Sequence, residues 1–219
     1  MKTILFQGDS ITDCRRFTEP EDADTQRSFA FGTGYPLMAA AELAYRYPGE
    51  YRFVNRGISG NRVVDLYARI KKDILNHRPD YMSILVGIND VWHEIMHENG
   101  VSVEKFERVY RMLLDEILEE LPSIKILLFT PFCLGGSATV QEDRPEVADF
   151  FFGETPKYAE AVKRIAKDYG FPVVVTQPLF DEAAKKVPAD QLLHDGVHPG
   201  LAGNYILAQE FLKWFESVK

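Results

Sequence analysis

Apolar and polar residues alternate along the chain in two distinct patterns. Short, nearly continuous apolar runs predict five β-strands, at residues 4–6, 51–55, 81–86, 124–130 and 172–176. Longer segments place apolar residues three or four positions apart, which is typical of amphipathic helices. They predict helices near residues 35–47, 63–76, 103–121, 156–169 and 201–218. Strands and helices are therefore expected to alternate along the chain.

This alternation is typical of the α/β class, in which a parallel sheet is covered by helices on both faces. Five strands suit a three-layer α/β/α architecture with the flavodoxin-like strand order 2-1-3-4-5. No internal repeat, low-complexity tract or linker divides the chain, so we expect one domain spanning residues 1–219. In open parallel sheets, ligands bind at the carboxyl ends of the strands. Candidate catalytic residues are therefore expected at those ends.

Two stretches interrupt the alternation and are predicted to be loops. The first, residues 15–34, begins just after the first strand. The second, residues 134–155, contains Gly135, Gly136 and three adjacent phenylalanines, Phe150–Phe152. Long loops at strand ends often carry function. The phenylalanines could line a pocket, cover a partner subunit or pack onto the domain's own surface, and the sequence leaves these alternatives open.

A serine stands where the first strand ends, in the sequence Gly8-Asp9-Ser10. A serine hydroxyl is a weak nucleophile at neutral pH unless a base accepts its proton and a third group orients that base. Taken alone, Gly-Asp-Ser after a strand also fits an ordinary turn. The interpretation of Ser10 as a nucleophile therefore depends on partners elsewhere in the chain.

The segment between His194 and Gly200 offers those partners. The chain has five histidines, and only His194 and His198 stand beside an acidic residue in a segment with the composition of a loop. Asp195 and His198 are three positions apart, so a tight turn can bring the carboxylate to the imidazole. The other ring nitrogen would then be free to face Ser10. The competing interpretation is an ordinary capped loop before the last helix.

Acyl transfer also needs hydrogen-bond donors where the oxyanion forms, and two further strand ends supply them. The second strand is followed by Gly57-Ile58-Ser59-Gly60-Asn61, where glycines let backbone N–H groups approach a ligand closely. The third strand is followed by Gly87-Ile88-Asn89-Asp90, and Asn89 carries a neutral amide donor. The predicted nucleophile, donors, acid and base thus converge on one edge of one sheet.

Taken together, these segments resemble the four sequence blocks of the SGNH (GDSL-type) hydrolases, in the same order and over nearly the whole chain. The resemblance implies that Ser10 is the nucleophile, His198 the base and Asp195 the acid that orients it. It also implies an oxyanion hole made of the Ser10 N–H, the Gly60 N–H and the Asn89 side-chain amide. Such enzymes need no cofactor.

Several segments resemble more closely the bacterial acetylxylan esterases of this family, among them Gly8 to Cys14, Gly32-Thr33-Gly34-Tyr35 and Gly87 to Trp92. This resemblance implies hydrolysis of O-acetyl groups on xylo-oligosaccharides without a metal, and it allows a homo-oligomer. Two features depart from it: His194 replaces an expected bulky aromatic residue, and the 134–155 stretch is longer and richer in phenylalanine. Candidate substrate-binding residues are Asp9, Trp92 and His194. Trp92 is as well explained by a sugar platform as by a cap on the core.

Charge, cysteine content and histidine spacing limit the classes of partner, the cellular compartment and the kinds of site that we expect. The net charge is −8, which disfavours nucleic acid and anionic membranes as main partners. Two cysteines do not make a disulfide framework, the N-terminus lacks a secretory signal, and no apolar run is long enough to span a membrane, so we expect a cytoplasmic protein. His93 and His97 have the i, i+4 spacing of helical metal ligands but no apparent third ligand, so no metal site is predicted.

Three functions remain open on the sequence alone. The first is a carbohydrate O-acetylesterase acting on a small ester substrate. The second is a short-chain carboxylesterase or a lysophospholipase-type lipid esterase on the same scaffold. The third is a non-catalytic carbohydrate-binding or assembly protein, which is disfavoured because every catalytic position is intact.

Overall fold

Five parallel strands form one sheet in the computed structural model, which describes residues 1–19 and 26–219. They are β1 (Lys2–Gly8), β2 (Tyr51–Asn55), β3 (Tyr81–Leu85), β4 (Lys125–Phe129) and β5 (Val173–Val174). The strand order is β2-β1-β3-β4-β5, which confirms the predicted α/β class and the 2-1-3-4-5 order. Gly8, the last residue of β1, pairs with Leu85, the last residue of β3, so both strands end at the same edge.

Helices connect and cover the strands. They are α1 (Ser10–Asp13), α2 (Tyr35–Arg46), α3 (Val63–Ala68), α4 (Ile70–Asp73), α5 (Ile88–His97), α6 (Val103–Glu120), α7 (Pro145–Tyr169), α8 (Thr176–Ala183), α9 (Ala189–Leu192) and α10 (Leu201–Val218). Short 3₁₀ turns occur at Ser28–Phe31 and Leu75–His77. Right-handed crossovers place α2 on one face and α3, α6 and α7 on the other. The packing agrees, because α2 contacts α10 whereas α6 contacts both α3 and α7.

Apolar side chains from the strands fill both faces of the sheet. Ile4, Leu5 and Phe6 of β1 are all completely buried. The Phe6 ring lies 5.8 Å from that of Tyr35 in α2 and 4.9 Å from that of Phe211 in α10, measured between ring centroids. Burial of side chains of this size is the main favourable contribution to folding. The strand that precedes Ser10 is therefore anchored from both faces.

The prediction of a loop over residues 134–155 is wrong for its second half, because helix α7 begins at Pro145 and includes all three phenylalanines. The helix buries one continuous stripe of side chains, Val147, Phe151, Thr155, Tyr158, Val162 and Ile165. Pro156 suggested a helix start but lies inside the helix. The proline removes one backbone donor. The carbonyl that loses its partner belongs to Phe152, which is exposed and can be hydrated.

The predicted helix at 63–76 is also divided, into α3, α4 and a 3₁₀ turn, with the first break at Arg69. The Arg69 guanidinium turns inward and donates to Gln7 Oε1 at 2.7 Å and to Asn61 Oδ1 at 2.7 Å. Helix α5 was not predicted, although Ile88, Val91 and Ile95 repeat at helical spacing. The predicted loop at 15–34 includes residues 20–25, which lie outside the described residues; its described part contains the Ser28–Phe31 turn.

Candidate active site

Ser10 begins α1, directly after the turn at Gly8 and Asp9 that ends β1. A β-carbon at Gly8 would lie 2.3 Å from the Leu85 carbonyl oxygen, so only glycine fits there. The next residue, Asp9, caps α1: its Oδ1 accepts the Ile11 N–H at 3.0 Å. The strand end and the cap together place Ser10 as the first residue of α1 at the carboxyl edge of the sheet.

Asp9 itself lies beneath the surface rather than in the site. Its side chain is completely buried, and its Oδ2 has no hydrogen-bond partner among the described residues. Burial raises the pKa of Asp9 to about 7. The candidate substrate-binding residue Asp9 thus lies below the surface in the structure, and a contact between it and a substrate stays a prediction. The contact that the structure does show for its side chain is the cap of the turn that carries Ser10.

Ser10, His198 and Asp195 form a continuous hydrogen-bonded chain. The Ser10 Oγ lies 2.8 Å from His198 Nε2, and His198 Nδ1 lies 2.7 Å from Asp195 Oδ2. A carboxylate can only accept, so Nδ1 carries the proton that it donates to Asp195. In the neutral ring, Nε2 is then an acceptor for the Ser10 hydroxyl. This is the tautomer that a general base needs.

The turn that carries Asp195 and His198 is fixed by its own backbone. Asp195 Oδ1 accepts the N–H groups of Val197 at 2.9 Å and His198 at 2.7 Å. Gly196 has φ +94°, a conformation that favours glycine. Leu193 and Pro199 form an antiparallel bridge that closes the turn. The three-residue spacing thus forms the tight turn that the sequence predicted.

The electrostatics of the pair follow from these contacts. Burial opposes ionisation of Asp195, but the hydrogen bonds from the His198 ring and from the His198 and Val197 backbone hold its pKa well below its ordinary value. The bond to Asp195 raises the pKa of His198 above its ordinary value, against a smaller opposing effect of burial. Asp195 is therefore ionised at neutral pH, and it stabilises the imidazolium that forms when His198 takes a proton.

The two predicted donor segments, residues 57–61 and 87–90, meet beside the serine turn (residues 8–13). Ile58 accepts the Asn61 N–H at 3.1 Å, and Gly60, at the third position of this turn, has φ +80°. The Ile58 N–H donates to the Gly8 carbonyl at 3.1 Å, which ties the turn to β1. Asn89, in the first turn of α5, donates its side-chain amide to the Asn61 carbonyl at 3.1 Å. The structure thus brings the Gly60 turn and Asn89 together, next to the end of β1.

Trp92 and His194 both contact the catalytic candidate His198. The Trp92 ring lies 5.8 Å from the His198 ring and 5.7 Å from the ring of Phe151 in α7. The His194 ring stacks against the His198 ring with 5.8 Å between the ring centroids, and the His194 side chain is 62% exposed. The site is therefore bordered by one half-buried indole and one exposed imidazole.

A loop behind Asp195 was missed as part of the site. The Leu134 N–H donates to the Gly196 carbonyl and the Ala138 N–H to the Asp195 carbonyl, both at 2.9 Å. A β-carbon at Gly136 would lie 2.2 Å from the Asp195 carbonyl carbon, so a glycine is required for this approach. The pair Gly135-Gly136 was the available signal, but the sequence does not reveal which segment approaches it.

One group within the described ranges, His194, Asp195 and His198, has a spacing that could suit a metal ion. Its central contact is the His198–Asp195 hydrogen bond that orients the base. The His93 and His97 rings lie 5.3 Å apart, and residues 1–19 and 26–219 supply no third ligand for them.

In the part of the chain that the structure describes, no helix is both long and apolar enough to cross a membrane.

Comparison with known proteins identifies the scaffold. An acetylxylan esterase of Geobacillus stearothermophilus is 40% identical over 217 residues, covering 96% of this chain and 92% of that protein. The crystal structure of Axe2, an acetylxylan esterase from the same organism, superposes with a TM-score of 0.81 at 38% identity, covering 97% of this chain and 93% of Axe2. LAE5, an α/β hydrolase from the Lake Arreo metagenome, gives 0.79 at 32% identity, covering 97% of this chain and 94% of LAE5.

A family profile leads to the same conclusion. The profile of the GDSL-like lipase/acylhydrolase family matches residues 6–206, which include the serine turn, both donor segments and the Asp195–His198 turn. These are also the segments on which the resemblance to SGNH hydrolases rested. The chain belongs to the GDSL-like lipase/acylhydrolase family.

Proposed function

We propose that this protein is a serine esterase that removes acetyl groups from acetylated carbohydrates, most specifically xylo-oligosaccharides. The observation that carries the proposal is the hydrogen-bonded chain from Ser10 Oγ to His198 Nε2 at 2.8 Å and from His198 Nδ1 to Asp195 at 2.7 Å. The 40% identity to an acetylxylan esterase supports the substrate class. Solved catalytic mutants of Axe2 replace a serine, a histidine and an aspartate, the same three residue types.

In the first half of the reaction, His198 Nε2 takes the Ser10 proton while Oγ attacks the ester carbonyl carbon. The resulting imidazolium is stabilised by the ionised Asp195. The tetrahedral intermediate then collapses, the bond to the sugar oxygen breaks, and His198 donates its proton to that oxygen. The products are a free sugar hydroxyl and acetyl-Ser10.

The negative charge of the intermediate resides on the former carbonyl oxygen. Three donors are assigned to it: the N–H of Ser10 at the start of α1, the N–H of Gly60 and the Nδ2 of Asn89. Because they are fixed before reaction, they stabilise the oxyanion without reorganisation. Loss of one such donor typically lowers turnover on the order of 10²–10³-fold.

In the second half, water replaces the sugar. His198 takes a proton from water, the hydroxide attacks acetyl-Ser10, and the same three donors hold the second oxyanion. His198 then returns the proton to Ser10 Oγ as acetate leaves. One residue thus acts alternately as base and acid, which requires that its ring keep the same orientation throughout.

The large Trp92 ring beside His198 supports a preference for a short acyl group. Trp92 follows Asn89 by three residues in α5, so both side chains project from the same side of the helix. Its ring contacts His198 on one side and the fully buried Phe151 on the other. We infer that the Trp92 indole packs against the acetyl group or the adjacent sugar ring. The exposed His194 imidazole also borders His198.

Substrate profiling tests the proposal. The wild-type enzyme should hydrolyse p-nitrophenyl acetate and release acetate from acetylated xylobiose, and Ser10→Ala should abolish both activities. p-Nitrophenyl octanoate should be a much poorer substrate. Full activity of Ser10→Ala would overturn the assignment of the nucleophile. Preference for octanoate would favour the lipid esterase alternative, and failure of a fluorophosphonate probe to label Ser10 would favour the non-catalytic one.

Compartment and assembly stay predictions. Both cysteines are free thiols, which supports a cytoplasmic location. Cell fractionation tests that location, and light scattering of the purified protein tests for the homo-oligomer.

A further inference from the structure

Two of the assigned oxyanion donors lie on separate turns, one after β1 and one after β2. A transition state can be held only if these turns keep a fixed relative position. We propose that Asp13, beside the buried Arg16, is a positioning residue that holds the Gly60 N–H in register with the Ser10 N–H. This inference rests on the proposed function, and it adds a residue that the family resemblance did not assign.

The contact nearest to Gly60 runs through Ser59. Asp13 Oδ2 accepts the Ser59 hydroxyl at 2.5 Å and the Ser59 backbone N–H at 3.2 Å. The Gly60 N–H belongs to the peptide group that Ser59 forms with Gly60. Holding Ser59 at two atoms therefore restricts the orientation of that peptide group, and with it the direction of the Gly60 N–H.

Asp13 is well suited to transmit the position of Ser10. It is the last residue of α1, three residues after Ser10, and its N–H donates to the Asp9 carbonyl at 2.8 Å. Ser10 and Asp13 therefore move as one short helical turn, whose start is capped by Asp9. A displacement of α1 relative to Ser59 is therefore also a displacement of Ser10 relative to Gly60.

Arg16 supports the same contact from the inside. Its side chain is 3% exposed, and its Nε donates to the Gly57 carbonyl at 2.9 Å. The same Nε lies 3.8 Å from Asp13 Oδ1, an oxygen without a hydrogen bond among the described residues. A buried cation needs such partners. Arg16 therefore links the carboxylate of one turn to the backbone of the other.

The two turns touch directly where these side chains meet. A β-carbon at Gly57 would lie 2.3 Å from the Asp13 backbone nitrogen, so any other residue would push the turns apart. Next to it, Asn55 Nδ2 donates to the Thr12 carbonyl at 2.7 Å. The backbone approach sets the distance between the turns, whereas the Asp13–Ser59 contact sets the orientation of the donor peptide.

The experiment compares Asp13→Ala, Asp13→Asn and Ser59→Ala with wild type on p-nitrophenyl acetate. For Asp13→Ala we expect kcat to fall on the order of 10–100-fold, because a small misplacement of a catalytic group has that effect, while KM changes less than about twofold. Asp13→Asn keeps one acceptor oxygen and should lose less. Asp13→Ala/Ser59→Ala should be no slower than Asp13→Ala, because both changes break the same contact.

The matched control is Asp80→Ala. Asp80 Oδ2 accepts the Thr3 N–H at 2.7 Å at the opposite end of β1, so it is a comparable carboxylate–backbone contact far from the site. Its kcat should equal that of wild type. Melting curves of all variants report whether each one folds, and Asp13→Asn serves if Asp13→Ala does not. Wild-type kcat in a folded Asp13→Ala, or in a folded Asp13→Asn together with Ser59→Ala, would overturn the inference. Inactivity of the wild type itself would instead overturn the proposed function.

Discussion

In the proposed mechanism, His198 connects a nucleophile, Ser10, that must lose a proton with a carboxylate, Asp195, that stays ionised at neutral pH. Its ring is held at both nitrogens, by Ser10 at 2.8 Å and by Asp195 at 2.7 Å. Only the neutral ring can accept the Ser10 proton. The protonation state of this one side chain therefore controls the rate on the acidic side of the pH profile.

We predict that kcat/KM rises with pH through a single ionisation whose midpoint lies above 6.5, because the bond to Asp195 raises the pKa of His198 above that ordinary value. Asp195→Asn should lower kcat on the order of 10³–10⁴-fold and move the midpoint down, since the carboxylate that stabilised the imidazolium is gone. The measurement is a pH–rate profile of both proteins on an acetate ester. Asp190→Asn, in α9, is the control and should keep the wild-type midpoint. An unchanged midpoint in Asp195→Asn would contradict the assigned pair.

Asp9 gives a second prediction, on stability. Its pKa is about 7 when folded, against an ordinary value of 3.8, because the side chain is completely buried. Between those values the folded state holds a proton that the unfolded state has lost, so stability falls as pH rises from about 4 to about 7. Asp9→Asn should remove this loss, on the order of 4 kcal/mol at most, while its amide oxygen can still cap Ile11. Urea unfolding at pH 5 and pH 8 measures it. A difference between variant and wild type that does not change with pH would contradict it.

At the scale of elements, α7 shows why a helical pattern that is present in the sequence can go unrecognised. The buried positions Val147, Phe151, Thr155 and Tyr158 repeat at helical spacing, so the period was present in the sequence. The three adjacent phenylalanines obscured it, because only Phe151 is fully buried whereas Phe152 is 45% exposed. Pro156 then suggested a helix start in the middle of the helix. The helix forms in spite of the unfavourable proline because it buries one continuous apolar stripe against the rest of the protein.

Pro156→Ala should therefore stabilise the protein by about 1–2 kcal/mol. Alanine restores the N–H that the Phe152 carbonyl lacks and removes the clash of the ring. Part of this gain is offset, because the unfolded chain becomes more flexible without proline. The position is exposed, so no core contact is lost. Thermal unfolding measures the effect. A lower melting temperature than wild type would show that the proline conformation is needed at this point of α7.

At the scale of the whole molecule, the fold class was predictable because each strand and its following helix are encoded locally, whereas the strand order was inferred only from the likeness of five alternating strands to flavodoxin-like sheets. Ser10, Asp195 and His198 could also be predicted as candidate catalytic residues, since each lies in a short motif of turn-forming residues. The contacts between the motifs could not be predicted. Asp13 and Ser59 are 46 residues apart, and although the predicted strand order places β2 beside β1, nothing in either local sequence indicates that these two side chains meet. Such pairings depend on the register of the sheet, which emerges only from packing.

One hydrophobic core runs along the sheet from β1 and β2 to β4 and includes the helices on both faces. A single domain over residues 1–219 stays a prediction. The continuous core explains how residues from the first and last tenths of the chain, Ser10 and His198, come within 2.8 Å of each other. Helix α10, which follows His198, packs against α2 and against β4. The end of the chain therefore helps to fix the base relative to the nucleophile.

The position of β1 within the sheet has a consequence for how the molecule opens. β1 has a hydrogen-bonded neighbour on both sides, whereas β5 contributes only Val173 and Val174 at one edge. Amide protons of β1 should therefore exchange with solvent only on global unfolding, and those of β5 through local fluctuations. Partial opening would loosen the edge first and leave the serine turn intact. The nucleophile would then be among the last parts of the enzyme to lose its shape as the protein denatures.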